Sequence, residues 1–336
     1  MAKRKRNKKP TPAGVKISGY VQHDIDLVIP VYGNLELLRA CVNSIVETCD
    51  GLNYKLIIVD DFSPETERES LNEYYQTLTN RGMTIIKLKK NSGYPHAVNV
   101  GVEKGNSKFA FAINSDTVLK AGCIQEMVRV LSGDVEVPQS PIERTPQNPI
   151  GVVGAKLTFP ASDPGKIWGG KPVAGTIQHA GMHMDINQFP QHTHLGWPSD
   201  HPTVNTIRRV QFVTGALIGF RRDVWDAIKR MYRSYGDPTV GAMNEIYGKG
   251  TFEDIEFCVM ARQMGHSVVY APKAEATHAV GKSLGLSIEN KDGGYDLRRN
   301  GQVFSARCSD FIVWDNVLAT DLPDETVHKF MEANTL

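Results

Sequence analysis

Along the first 131 residues, apolar runs alternate with amphipathic stretches. Asp26–Val31, Tyr54–Asp60, Met83–Leu88 and Phe109–Asn114 are nearly continuous apolar segments, the pattern of strands buried on both faces. Between the first two, Leu35, Leu38, Val42, Ile45 and Val46 recur mostly at three and four, which places them on one helix face. A second helix is expected to start at Ser63-Pro64, with Ser63 as its cap and the proline in its first turn. A third follows from about Pro95. Repeated strand–helix units with such strands predict a parallel sheet flanked by helices.

The second half is less regular. Gly151–Leu157 and Gly175–Met184 have strand character, Val210–Phe220 is a long apolar strand, and Ser267–Tyr270 is the last sheet strand. Helices are expected from Arg222 through Ile228 and from Asp254 through Met264, with Gly265 as a stop. Residues 132–148 and 185–205 read as loops, the second carrying His192, His194, Trp197 and His201. Periodicity weakens beyond Gly281, and residues 284–336 are expected to wrap the core.

Composition is that of an ordinary globular enzyme, and 336 residues allow an ample core. The net charge is +1, yet the first nine residues hold six Lys or Arg, so the remainder is net acidic. That excludes a broadly basic nucleic-acid binder and leaves a basic tail. The tail reads as solvated and disordered, with a phosphate-backbone or anionic-membrane contact as the other reading. No run approaches the roughly 18–20 apolar residues that span a bilayer, and no signal-peptide core follows the basic start. Five cysteines without a C-x-x-C pair predict reduced thiols, a cytoplasmic location and no structural zinc.

Candidate chemistry sits at the ends of the apolar strands. Asp60-Asp61 ends one and Asn114-Ser115-Asp116 ends another, which is how an open α/β sheet builds a ligand crevice. Taken singly, each aspartate is equally a turn residue. Glu253-Asp254 sits at a helix start, where the dipole favours anions, and Thr251-x-x-Asp254 also reads as a capping box. Gly93 before a helix would let the backbone approach a phosphate or sugar. Gly215-Ala216, small residues at the end of an apolar run, would leave room for a ligand or serve close strand packing. His179, His183, His192 and His194 span strands and loop without a cysteine, a poor zinc pattern. Trp197 suits either contact with an acceptor sugar or cover over the core.

The order of these pieces resembles the family 2 glycosyltransferases of GT-A fold, over about residues 24–283. The pieces are Leu27-Val28-Ile29-Pro30-Val31-Tyr32, Ile57-Ile58-Val59-Asp60-Asp61-Phe62-Ser63, Asn91-Ser92-Gly93-Tyr94-Pro95-His96, Asn114-Ser115-Asp116, Val213-Thr214-Gly215-Ala216, Glu253-Asp254-Ile255-Glu256 and His278. The resemblance implies a nucleotide-sugar donor. Asp60 or Asp61 would partner its base, and the turn from Pro30 through Val31 and Tyr32 to Gly33 would line the slot. Asn91, Gly93, Asn114, Ser115 and Gly215 would also lie on the donor side.

Asp116 and His278 would hold a divalent cation, Mn2+ or Mg2+, against the diphosphate. Asn114 replaces the first acid of the Asp-x-Asp often found there and supplies no charge. Asp254 would be the general base, with Glu253 orienting the acceptor. The implied reaction is metal-dependent, inverting transfer to a hydroxyl of a glycan or glycoconjugate.

The implied organisation is a tail over 1–20, a GT-A domain over 21–283 and a C-terminal extension over 284–336. The domain divides into a donor half (21–131) and an acceptor half (150–283). The basic tail motivates an alternative, glycosylation of a hydroxylated nucleic acid base, and Asn114 motivates a non-catalytic nucleotide-sugar binder. Nucleotidyl transfer is disfavoured, because Tyr32-Gly33-Asn34 follows the first strand where a Gly-rich, basic phosphate loop would be needed.

Overall fold

Strand β1 (Ile25–Val31) is buried at every position and lies inside the sheet. It pairs in parallel with β2 (Tyr54–Asp60) on one side and β4 (Phe109–Ile113) on the other, and β3 (Thr84–Lys87) extends the sheet beyond β2. Helices α1 (Leu35–Thr48), α2 (Glu65–Asn80) and α3 (Tyr94–Lys104) make the connections. These are the strand–helix units expected from the apolar pattern. A computed structural model describes residues 16–17, 20–21, 24–139, 148–161, 173–185, 189–237, 239–279, 296–312 and 324–333.

After β4 come the short β5 (Thr117–Leu119) and α4 (Cys123–Leu131). The second half adds β6 (Ile150–Thr158), β7 (Ile177–His179), β8 (Met182–Met184), β9 (Pro190–His192), β10 (Arg208–Arg209) and β11 (Leu217–Arg221). Helices α5 (Arg222–Tyr235) and α6 (Glu253–Gln263), then β12 (Ser267–His278), complete the sheet region. The ten-stranded sheet runs β10-β12-β6-β11-β4-β1-β2-β3, with β5 paired to β12 and β7 to β6. Side chains alternate between two cores: Val28 joins Trp225 and Phe257 on one face, while Leu27 and Ile29 join Leu38, Val42 and Ile45 on the other.

Several expectations need correction. Of the Val210–Phe220 run only the part from Leu217 on is in a sheet strand, Leu217–Arg221; Val210, Phe212 and Val213 are buried outside the main ladder. Apolar run length reports burial rather than pairing. The strand expected to stop at Tyr270 continues to His278, past Pro272, through a register shift between Ala271 and Glu275. A bulge accommodates the missing proline donor. Gly175–Met184 divides into β7 and β8, and β9 lies inside the stretch read as a loop. Lys16–Ile17, read as tail, pair antiparallel with Tyr20–Val21, while the basic residues 3–9 lie outside the described residues.

Beyond the sheet, α7 (Leu297–Cys308) and α8 (Glu325–Ala333) are described, and Phe304 and Val327 reach one core. All five cysteines are buried and free. Among the described residues no helix is long and apolar enough to cross a membrane.

Candidate active site

The end of β4 and the starts of α3 and α6 meet at the segment Thr214–Ala216, which enters β11. Gly215 is its pivot. Its N–H donates to Asp254 Oδ2 at 2.6 Å, and its carbonyl accepts from the Tyr94 hydroxyl at 2.6 Å. The next carbonyl, of Ala216, accepts from Asn114 N at 2.9 Å and Thr117 Oγ1 at 3.2 Å. A Cβ on Gly215 would stand 2.9 Å from the Tyr94 hydroxyl and 3.3 Å from Asp254 Cβ. Close packing of three elements therefore accounts for this glycine.

Asp116 follows β4, and the antiparallel pairing of β5 with β12 puts Thr117 opposite His278. The Asp116 carboxylate, 4% exposed, comes within 3.1 Å of His278 Nε2. Asn114 Nδ2 lies 3.3 Å from the same nitrogen. On the far side of the ring, Gln178 Oε1 is 2.7 Å from Nδ1, and Gln178 Nε2 donates to the His278 carbonyl at 2.8 Å. A buried carboxylate beside an imidazole nitrogen fits a divalent cation that completes its shell with phosphate oxygens and water.

The four-histidine pattern is different. His179 Nδ1 meets His192 Nδ1 at 3.0 Å and His183 meets Thr193 Oγ1 at 3.1 Å. Among the described residues no group of three or more His, Cys, Asp or Glu could hold a metal. Trp197 is buried, tilted against His194 and edge-on to His201, and is core.

The two strand-end aspartates divide their work. Asp60 Oδ1 accepts from Ser63 N at 2.7 Å, and the Ser63 hydroxyl accepts from Gly33 N at 2.9 Å. Ser63 thus ties the Pro30–Gly33 turn to β2 and does not cap α2, whose first turn follows Pro64 without a side-chain cap. Tyr32 and Phe62 stand exposed on either side of this tie. Asp61 clamps the next loop, its two oxygens accepting from Ser92 N at 2.6 Å and Gly93 N at 2.7 Å. Burial raises the Asp61 carboxyl above its ordinary range, against the pull of those amides and of Lys249.

Gly93, at φ 94°, presses against the Gly248–Lys249 backbone; a Cβ there would meet Gly248 O at 2.3 Å. The close approach foreseen for Gly93 is thus to this chain's own backbone. Lys249 Nζ bonds both the carbonyl and the side-chain oxygen of Asn91. Ser115 is buried beside Asn114.

Glu253 and Asp254 begin α6, but Thr251 does not cap it. Phe252 is the cap residue, and Thr251 and Phe252 both adopt left-handed backbone, at φ 77° and 73°. Such conformations in residues with a Cβ need external support. Asn300 of α7 supplies it, donating to Tyr247 O at 3.0 Å, Gly250 O at 2.9 Å and Thr251 Oγ1 at 3.0 Å. Phe252 packs on Phe304 at 5.4 Å and Phe189 at 5.5 Å between ring centres.

One turn into α6, the fully buried Glu256 accepts from Tyr232, Tyr247, Asn244 and Arg307, pinning the helix from below. Burial, then the neighbouring Asp254 charge, pushes the Glu253 carboxyl well above its ordinary range. Burial also raises Asp254, but the amides of Gly215 and Ile255 favour its anion. Glu253 therefore keeps its proton more tightly than Asp254.

Sequence reasoning missed Gln178, Asn300 and the hydroxyl of Tyr94. Tyr94 was visible inside its motif, but only the fold gives its hydroxyl a partner. For Gln178 the sole signal was a polar residue between Ile177 and His179 in an apolar setting.

Residues 26–160 match the family described as glycosyl transferase family 2. An uncharacterized protein, y4gI, of Sinorhizobium fredii is 26% identical over 268 residues, covering 78% of this chain and 25% of its own. A poly(ribitol-phosphate) beta-glucosyltransferase of Bacillus spizizenii is 32% identical over 94 residues, 27% of this chain and 14% of its own. The chain thus spans about a quarter or less of these relatives. The crystal structure of GalNAc-T7 with UDP, GalNAc and Mn2+ superposes with a TM-score of 0.54 at 15% identity, covering 76% of this chain and 43% of that one. The sheet order and these matches agree: residues 26–160 match glycosyl transferase family 2, and the fold is the GT-A fold of glycosyltransferases.

Proposed function

We propose that the chain transfers a sugar from a nucleotide-sugar donor to an acceptor hydroxyl, with divalent-metal assistance and inversion at the anomeric carbon. The observation that carries this reading is the Gly215–Ala216 junction. Through single hydrogen bonds it joins the Asp254 carboxylate, the Asn114–Asp116 turn beside His278, and Tyr94 next to the Gly93 loop. A base, a cation pair and a donor-side loop on one scaffold are what a displacement reaction needs.

In this reading the Pro30–Gly33 turn and Asp60 receive the base, with Tyr32 beside them, and the Asn91–Gly93 loop, Asn114 and Ser115 border the donor. Asp116 and His278 hold Mn2+ or Mg2+, which when bound neutralises the diphosphate as it departs. Asp254 takes the proton from the acceptor hydroxyl as its oxygen attacks the anomeric carbon. The bond to the diphosphate breaks on the opposite face, and its electron pair leaves with the phosphate oxygen. Glu253, which holds its proton more tightly than Asp254, orients the acceptor through a hydrogen bond. Two neighbouring carboxyls with separated proton affinities can divide these tasks.

The acceptor is a glycan or glycoconjugate. The resemblance to a poly(ribitol-phosphate) glucosyltransferase makes a polyol-phosphate polymer the first to assay. A cytoplasmic setting fits the five buried, unpaired thiols. The test is release of nucleoside diphosphate from a panel of nucleotide sugars, with and without Mn2+ and acceptor. The expected result is metal-dependent turnover of one donor, falling about 10²–10⁴-fold in Asp254→Asn. Tight donor binding without turnover on any acceptor would replace this reading with that of a binding protein. Turnover only on DNA or RNA, lost on removing residues 1–10, would move the acceptor to nucleic acid.

A further inference from the structure

The geometry points to Gln178 as the residue that fixes His278 in the Nδ1–H tautomer, so that the Nε2 lone pair faces Asp116 and is available to a divalent cation. This inference rests on the metal reading of the Asp116–His278 pair. Gln178 lies in β7, 100 positions from His278, and is 5% exposed. Its amide touches His278 twice, with Nε2 donating to the backbone carbonyl at 2.8 Å and Oε1 standing 2.7 Å from Nδ1.

The first contact decides the second. A carbonyl oxygen only accepts, so the NH2 end of the amide must face it, and the oxygen must face the ring. An oxygen at 2.7 Å from Nδ1 requires that nitrogen to carry the proton. In the neutral ring Nε2 is then an acceptor, consistent with the Asn114 Nδ2 group 3.3 Å away. Asp116 stands 3.1 Å from the same nitrogen, so two electron-rich atoms point at one place. A cation placed between them satisfies both.

Metal-binding histidines commonly have the second ring nitrogen fixed by such a partner, and its loss typically weakens metal binding 10–100-fold. Here the partner is an amide held by the histidine's own carbonyl, so ring orientation and tautomer are set together. Gln178 is a positioning residue in this arrangement. It acts on the cation and the donor through His278.

The test uses the full chain. Nitrogen-15 NMR of the histidine rings, without metal and at a pH where His278 is neutral, should show Nδ1 protonated and Nε2 bare. Free imidazole side chains prefer the opposite tautomer. Titration with Mn2+, alone and with UDP or GDP, should show a 10–100-fold weaker dissociation constant in Gln178→Met. Gln178→Glu, which still accepts from Nδ1–H, should retain most of the affinity.

An Nε2–H tautomer in the parent would overturn the inference, and that measurement needs no variant to fold. So would unchanged Mn2+ affinity and tautomer in Gln178→Met. An Nδ1–H ring in a parent protein that binds no Mn2+ with either nucleotide would overturn the cation half and, separately, the metal reading of the site.

Discussion

Replacing Asn300 with alanine tests whether the C-terminal helix α7 aims the candidate catalytic carboxylates. Asn300 is 2% exposed, and its amide supports the carbonyls of Tyr247 and Gly250 and the Thr251 hydroxyl. Tyr247 and Gly250 are buried, so water cannot readily take its place. Losing hydrogen bonds from a buried site costs about 1–3 kcal/mol for each group left unpaired. The carbonyl of Tyr247 keeps a bond from Gly250 N at 3.3 Å, which lowers the total.

The same amide holds two successive left-handed residues, each carrying roughly 1–3 kcal/mol of strain that relaxation would release. Together these give a loss of about 2–4 kcal/mol, readable as a lower urea midpoint at unchanged slope. Thr251 and Phe252 lead directly into Glu253-Asp254, so relaxation of the turn moves both carboxylates. kcat should fall at least about tenfold, 1.4 kcal/mol of barrier, while stabilisation by nucleoside diphosphate persists. Stability within about 0.5 kcal/mol of the parent, or equal loss of donor binding and turnover, would refute the reasoning.

Three further outcomes follow from the same geometry. Gly93→Ala puts a Cβ 2.3 Å from Gly248 O at a φ of 94°; it should lose about 2–4 kcal/mol of stability and weaken donor affinity, both read from thermal melts with and without nucleotide. Burial pushes His194 down to about 3 and His179 well below its ordinary value, so as pH falls below about 6.5 the unfolded chain binds protons that the native one refuses. Stability should decline by about 1.4 kcal/mol per pH unit per histidine, and an unchanged slope in His194→Gln urea titrations would contradict this. Burial raises Glu253, so the native state holds a proton that the unfolded chain loses above about pH 4.5, and stability falls as pH rises. Glu253→Gln should therefore gain stability over the parent at pH 7.5 but not at pH 4, by urea unfolding at both.

The parallel half of the sheet was legible because its strands are nearly continuous apolar runs and its helices periodic, as β1, β2, β4 and α1 show. Motif order likewise brought Asp116, His278, Glu253 and Asp254 to notice. Local pattern failed where distant partners decide conformation. Thr251-x-x-Asp254 spells a capping box, yet Asn300, 49 residues on, holds Thr251 left-handed and Gly215 takes the Asp254 carboxylate. Ser63-Pro64 spells a helix start, yet the Ser63 hydroxyl is drawn to Gly33 N, 30 residues back. Gly93 reads as approaching a phosphate or sugar, yet its close neighbour is the Gly248–Lys249 backbone, and of the two readings of Gly215 the structure shows close packing, against Tyr94 and Asp254. The last strand, read as Ser267–Tyr270, continues to His278 because the register shift that carries it past Pro272 leaves no local signature.

The most direct test of the central claim is thermal or urea unfolding of the parent and of Asp116→Ala against nucleoside diphosphates, each with and without Mn2+. A ligand at 100 times its dissociation constant adds about 2.7 kcal/mol of stability. The account predicts that one nucleoside diphosphate gives such a gain only when Mn2+ is present, and that Asp116→Ala abolishes it. Equal stabilisation with and without Mn2+, or an undiminished gain in Asp116→Ala, would contradict it.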